Sequence, residues 1–417
     1  MPQRIVFAPE TFNLAETTRA IEVARHLTAK PGCEVQFLGY SDEFAGLIRE
    51  AGFRFRSLSP RLSREEARQL IRVDQGKGVR HPFTEDVVRR RVRAELAAYE
   101  EFGAEAVVIG ATMSAFVSAR AYGIPLVFPK PYAYSLPHLR QLREVPLLAG
   151  RGPVRREVNR AAAGLVRAVA PRVMWKPRAF RTVPREFGVA LPGPTLAALE
   201  ADHNLLTEIG AVLGADVARS LPANHRMVGP IFARLPGEVP ERVLELAAGK
   251  RPLVYLALGS SGNRSLLMRL LRALERLPVE VIAPVRGYLG PDDPARVPRN
   301  VHLTELLPAH RLGPYIDASI LHGGQGSVQT ACLGGKPFVG LPLQLEQRFN
   351  VEACVRYGNA VRLSPATLTH AGLARALGRC LHSEPMRERA RELAAVAARE
   401  DGAAGAARYL RELLPVR

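Results

Sequence analysis

Short apolar runs alternate with longer stretches of helical period along most of the chain. Residues 5–8 are apolar without polar interruption, too few for a helix and unlike a half-exposed strand, so they read as a strand covered on both faces. Residues 15–27 then place apolar side chains three and four apart, and residues 33–40 return to strand character, which together predict a βαβ unit. Further strands are expected at 53–58, 106–110, 125–128 and 173–175, with a helix over 86–102. A second series of expected strands occupies 253–258, 279–283, 301–304, 319–322 and 338–341. Strands alternating with helices call for parallel, doubly wound α/β sheets with right-handed crossovers, and two such series call for two Rossmann-like domains.

The stretch 227–240 is rich in Pro and Gly and has no period, which suits a linker. It puts the boundary near residue 235, with domains at 1–234 and 235–417. The last forty residues, rich in Ala, Arg, Glu and Leu, predict terminal helices that can pack back on the first domain. Residues 74–82 are dense in turn formers and predict a mobile loop.

Composition narrows the class without naming it. With 417 residues, 47% hydrophobic and 24% charged, the chain can fill two ordinary cores. Its cysteines, Cys33, Cys332, Cys354 and Cys380, are scattered and form no CxxC pair, so neither a disulfide framework nor a zinc site is expected. His81, His138, His203 and His225 stand alone, again without metal-ligand spacing. The N-terminus lacks a signal-peptide core, and no window approaches the ~18 apolar residues of a membrane span. The expected location is the cytoplasm, including the inner membrane face.

The formal charge is +18, and residues 51–200 hold 26 Lys+Arg against 13 Asp+Glu. An anionic ligand or acceptor, an acidic lipid surface and a general solubilising bias all fit that excess. Nucleic acid fits least: aromatics are 6%, do not interleave with the basic residues, and no nucleic-acid-binding motif appears. Arg80, Arg89, Arg90, Arg91 and Arg93 fall on or near the 86–102 helix and are expected to form a solvated face.

The most informative segment begins at Ser319, where an expected strand runs into His322-Gly323-Gly324-Gln325-Gly326-Ser327 and then a helix. Glycines allow close backbone approach and positive φ, and a helix start offers free N–H groups and a positive dipole end, the needs of a diphosphate. Ser327 and His322 can add side-chain donors. Downstream come Gly335-Lys336-Pro337, Pro342 and Glu346-Gln347-Arg348-Phe349-Asn350, so that Glu346 and Gln347 fall where a sugar's hydroxyls would be gripped. In the N-terminal half, Tyr132 and Tyr134 follow an expected strand and can line a second pocket or simply pack.

Taken in order, His322 to Ser327, Gly335-x-Pro337, Pro342 and Glu346-Gln347-x-x-Asn350 resemble the donor-binding signature of GT-B glycosyltransferases, in particular the UDP-glycosyltransferase-like, GT1-type family. The resemblance implies two facing Rossmann-like domains, the C-terminal one holding a nucleotide-diphosphate sugar and the N-terminal one an acceptor hydroxyl. The acceptor classes it admits are natural product, lipid and oligosaccharide, anionic ones included. It implies neither metal nor other cofactor. His322, Gly323, Gly324, Gly326 and Ser327 would meet the diphosphate, Glu346 and Gln347 the sugar, and Ser260 and Ser261 would match the family's Gly-Ser turn near the phosphates.

Two departures stand out. Thr330 occupies the place of the family's acidic ribose contact, and Leu306-Leu307-Pro308 that of a Trp stacked on uracil, so backbone groups around Leu307 are left to read the base and GDP or dTDP compete with UDP. The Gly-His pair of the first βα loop is replaced by Ala15-Glu16, which makes Glu16 the candidate general base, with proton removal by the departing phosphate as the alternative. The expected activity is hexosyl transfer to a hydroxyl. A nucleotide-sugar epimerase and a non-catalytic sugar-nucleotide-binding auxiliary at a membrane surface are the rival classes.

Overall fold

The structure, a computed structural model, describes residues 2–74, 78, 81–148, 152–290, 293 and 296–414. Its first sheet contains β1 (Gln3–Ala8), β2 (Cys33–Gly39), β3 (Arg54–Ser57), β4 (Ala106–Ile109), β5 (Leu126–Lys130), β6 (His203–Leu206) and β7 (His225–Met227), in the order β3-β2-β1-β4-β5-β6-β7. The second contains β8 (Leu253–Ala257), β9 (Glu280–Ala283), β10 (Val301–Leu303), β11 (Ala318–Leu321), β12 (Phe338–Gly340) and β13 (Ala360–Arg362), in the order β10-β9-β8-β11-β12-β13. All pairings are parallel.

Uninterrupted apolar strands are needed because helices cover both faces. Along β1, Val6 and Ala8 join one core cluster with Val92 and Tyr99, while Ile5 and Phe7 join the other with Ile21 and Leu410. Two helices build those layers. Helix α1 (Leu14–Thr28) starts where the Asn13 side chain accepts from Ala15 N, and α2 (Glu85–Phe102) starts at Thr84 and stops at Gly103. Four others matter below: α3 (Pro153–Val169), α4 (Gln325–Leu333), α5 (Leu345–Tyr357) and α6 (Gly402–Leu413).

The chain changes sheets after β7, through residues 228–240, which hold no helix or strand. It crosses back at its end. Helix α6 packs on α1 through Ala403, Ala406, Ala407 and Leu410, and Gln3 Nε2 donates to Leu414 O at 2.6 Å. The last helix therefore completes the core of the first half.

Three expectations change. Residues 173–175 form no strand; β6 takes the place beside β5 and β7 the sheet edge, and Met174 and Trp175 are 63% and 60% exposed. Strands β6, β7 and β13 include His, Asn or Arg and are three or four residues long, so they carry no apolar signature in the sequence. The arginines of α2 do not share one solvated face: Arg89 pairs with Glu186 and Arg90 with Asp86, but Arg91 is buried, its guanidinium 3.8 Å from the Tyr40 ring centroid and 4.4 Å from that of Phe83. The predicted loop at 74–82 and Arg80 lie mostly outside the described residues.

Candidate functional site

Strand order reverses between β8 and β11, and a crevice opens beyond the carboxyl ends of strands at such a point. Strand β8 runs into Gly259-Ser260-Ser261 and β11 into His322-Gly323-Gly324, directly before α4. Gly323 has φ +92°, which strains any side chain, and a Cβ on Gly324 would lie 2.4 Å from His322 Nε2, so that position accepts no side chain without displacing the ring. The first in-helix bond of α4 runs from Val328 N to Gly324 O, at 3.1 Å. The preceding amides, of Gln325, Gly326 and Ser327, are the orphan donors of a helix start. Among the expected hydroxyl donors, Ser260 is exposed, Ser327 half-buried and Ser261 buried.

His322 is buried, with Nδ1 at 3.4 Å from the Ala257 carbonyl. A carbonyl only accepts, so Nδ1 carries the proton of the neutral ring and Nε2 presents its lone pair to the glycine turn. Burial lowers the pKa to about 4, against the pull of the Ala257 bond. To donate to a phosphate through Nε2, the ring must first take up a proton.

Gln347 is bonded on both sides of its amide. Its Nε2 donates to Ser261 Oγ (3.0 Å) and Gln344 Oε1 (2.7 Å), while its Oε1 accepts from Leu343 N (2.9 Å) and Gln344 N (3.3 Å). These bonds cap α5 and tie that cap to the Ser261 turn, so Gln347 braces the site. Glu346 is half-buried and accepts from Asn350 Nδ2, which also donates to Gly323 O at 3.0 Å. The carboxylate is thereby linked to the glycine turn. The Leu307 side chain is buried in the core, whereas Leu306 beside it is exposed.

The first half reverses strand order between β1 and β4, and here the crevice is lined by carboxylates. Glu16 Oε2 accepts from Ala111 N (2.8 Å) and Glu10 N (3.1 Å), and Oε1 from Asn13 Nδ2 (3.3 Å), which fastens the loops after β1 and β4 to the start of α1. Glu10 is buried, and that burial raises its pKa to about 7 despite Arg91 at 4.0 Å; Glu16 and Glu95 add to the rise. Glu95 accepts from the hydroxyls of Tyr40 (2.7 Å), Ser114 (2.5 Å) and Ser118 (2.5 Å). Nothing in the sequence marks Glu10, Arg91 and Glu95 as a group.

The two crevices meet through a side chain that no motif singles out. Gln325 Nε2 donates to Thr207 O (3.0 Å) and Glu208 Oε1 (2.8 Å), and its Oε1 accepts from Arg19 Nη2 (2.9 Å) and the Thr207 hydroxyl (3.1 Å). Gln329 adds a bond to Thr207 O. Beside this junction lies a cleft of about 910 Å³ lined from both halves, with Val212 and Leu213 on one side and Val328, Phe349 and Asn350 on the other. His322, Ser260, Ser261 and Ser327 do not line it; it adjoins the glycine turn through Gln325. Tyr132 is buried with its hydroxyl on Gln141, whereas Tyr134 is half-exposed.

Two doubly wound parallel sheets facing each other, one ending in a glycine turn at a helix start, define the GT-B class. A solved structure, the glycosyltransferase VinC in complex with dTDP, superposes with a TM-score of 0.68 at 18% identity over 99% of this chain and 98% of its own. Residues 268–413 match the family described as erythromycin biosynthesis protein CIII-like, C-terminal domain. A PGL/p-HBAD biosynthesis glycosyltransferase of Mycobacterium tuberculosis is 29% identical over 402 residues, 94% of this chain and 88% of the relative. The 4'-demethylrebeccamycin synthase of Lentzea aerocolonigenes is 30% identical over 301 residues, 70% of this chain and 69% of that enzyme. The chain belongs to the GT1-type glycosyltransferases, hexosyltransferases that take their sugar from a nucleotide sugar. These relatives favour sugar transfer over the two rival classes, epimerase and non-catalytic auxiliary.

Proposed function

We propose that the enzyme transfers a hexose from a dTDP-sugar, without a metal, to a hydroxyl of an acceptor that carries an apolar part. The observation behind the donor half is the helix start of α4 at the strand reversal, with His322 against the turn. Negative charge grows on the departing diphosphate, and preorganised amides, the Ser327 hydroxyl and protonated His322 are placed to offset it. Residues 235–401 would hold this donor, and residues 1–234 with α6 the acceptor. For the nucleotide, Thr330 supports dTDP: its hydroxyl donates to Gly326 O at 2.8 Å, and no carboxylate stands there for a ribose 2′-hydroxyl. The dTDP complex of VinC agrees.

On the acceptor side, Glu16 takes the acceptor's proton. It stands in the first turn of α1, one turn before Arg19, whose guanidinium reaches the donor-binding helix. A second reading gives that proton to Glu10, whose pKa near 7 suits a general base at neutral pH. The apolar side of the acceptor is supported by Val212, Leu213, Val328 and Phe349 in the cleft. Calorimetric titration with dTDP, UDP and GDP tests the donor half. The proposal expects dTDP to bind most tightly, and UDP binding as well as dTDP would overturn it.

A further inference from the structure

We propose that α3 and the segment after it dock the enzyme on an anionic membrane surface. Helix α3 has one face already used: Asn159 and Ala163 are buried, and Ala162 and Val166 pack with Leu142, Val145 and Phe349. Its remaining apolar side chains point outward at helical spacing. Val154, Val158, Leu165 and Val169 are all exposed, Val154 at 73% and Leu165 at 66%, and the exposed Val173, Met174 and Trp175 continue the strip. A helix that is apolar on its solvent side is covered by something in use. Among the described residues, no helix is long and apolar enough to cross a membrane, so the surface would be met from one side.

Charge selects the occupant. Residues 152–181 contain eight Lys or Arg and one acidic residue, Glu157. Arg155 is engaged by Glu144 and Glu352, Arg160 by Glu157 and Arg178 by Glu85; among the described residues, Arg156, Arg167, Arg172, Lys176 and Arg181 have no carboxylate partner. A second copy of the chain would set one cationic face against another, which repulsion opposes. A sheet of anionic headgroups over an acyl boundary matches the apolar strip with Arg172 and Lys176 at its end, and a 17-residue helix lays about 25 Å along it. Tryptophan prefers that boundary, and Trp175 is the only one in the sequence. The face also borders the acceptor cleft. Its inner side packs on Phe349 of α5, and Arg155 meets Glu352 of the same helix at 2.9 Å. An acceptor with an apolar tail would then enter from the layer on which the enzyme sits. The docking surface stands independently of the donor reading, since it involves none of the nucleotide contacts.

The test uses the full chain and vesicles of equimolar phosphatidylglycerol and phosphatidylcholine, with phosphatidylcholine alone as control. Trp175, the sole indole, reports from inside the face: its emission should shift to the blue with the anionic vesicles, and the protein should sediment with them. The Val158→Asp/Leu165→Asp variant should partition at least about tenfold more weakly, and each of Arg172→Gln and Lys176→Gln about fivefold more weakly. Met174→Ser/Trp175→Ser, in a loop, repeats the test without touching the helix. Nucleotide binding should stay unchanged in all four variants. Unshifted emission with the protein left in the supernatant would overturn the proposal. So would binding that ignores both apolar variants, which would mean charge alone, or a dimer in light scattering that Val158→Asp/Leu165→Asp dissolves, which would mean a second copy.

Discussion

The two strand-reversal points use opposite materials. In the second half the crevice is made of backbone: a glycine turn, orphan amides of α4 and one buried imidazole. In the first half it is made of side chains: Glu10, Glu16 and Glu95, with Arg91 laid between aromatic rings. A diphosphate is the same in every donor, and rigid amides recognise it without reorganisation. An acceptor varies, and the crevice that the proposed function gives it is built from polar groups whose protonation and packing can be retuned one substitution at a time. Gln325 joins the two regimes, its backbone at the donor end and its amide group on Thr207 and Glu208.

That contrast can be broken at either end. The largest effect is expected from His322→Ala with Ser327→Ala, which should lower kcat by at least about a thousandfold while leaving the melting temperature near that of the parent. Initial-rate measurements check the first half and a thermal melt the second. Glu16→Gln should cost about 10²–10⁴-fold in kcat with dTDP affinity unchanged. If Glu10→Gln produces that loss instead, and abolishes a titration of kcat/KM near pH 7, the proton goes to Glu10. Gln325→Ala removes the link between the halves; with water taking the place of most of its four bonds, the net loss is near that of one, about 1.4 kcal/mol, so kcat/KM should fall about tenfold, with little change in dTDP affinity.

Smaller effects come from pH. His322 has a pKa of about 4 when no ligand is bound, and an adjacent phosphate raises it, so dTDP binding takes up a proton. Affinity should tighten as pH falls from 7.5 to 5.5, and His322→Gln should flatten that dependence in calorimetry. Stability carries two opposed contributions. The pKa values of His81, His138 and His322 are all lowered to about 4 by burial, so between pH 6.5 and 4 the unfolded chain binds more protons and stability is lost on acidification. Glu10, raised from 4.5 to about 7, acts the other way: its contribution is full below pH 4.5 and is lost as pH rises through 7. In denaturant titrations Glu10→Gln should remove the loss between pH 4.5 and 7 and leave the acid limb in place.

What the sequence discloses follows the same division. The turn at His322 to Ser327 is legible because its chemistry is local, with glycines, a following helix and a short apolar strand all within one stretch. Arg19, Thr207 and Gln325 are far apart in the sequence, and no local pattern connects them. Gln347 is ambiguous for a different reason: a glutamine three residues into a helix looks the same whether it faces a ligand or caps its own N-terminus, and its bonds to Gln344 and Ser261 show the cap. The apolar residues at 173–175 invite a strand, yet the place beside β5 goes to β6 and the edge to β7. Helix α6 is predictable as a helix from composition, whereas its seat on α1 depends on the chain crossing back after 400 residues.

A co-crystal structure with dTDP tests the central claim most directly. The diphosphate oxygens should lie within about 3.2 Å of the Gly326 and Ser327 amides and of His322 Nε2. A diphosphate held elsewhere, for example against Arg155 and Arg156 in the neighbouring cleft, would contradict the assignment.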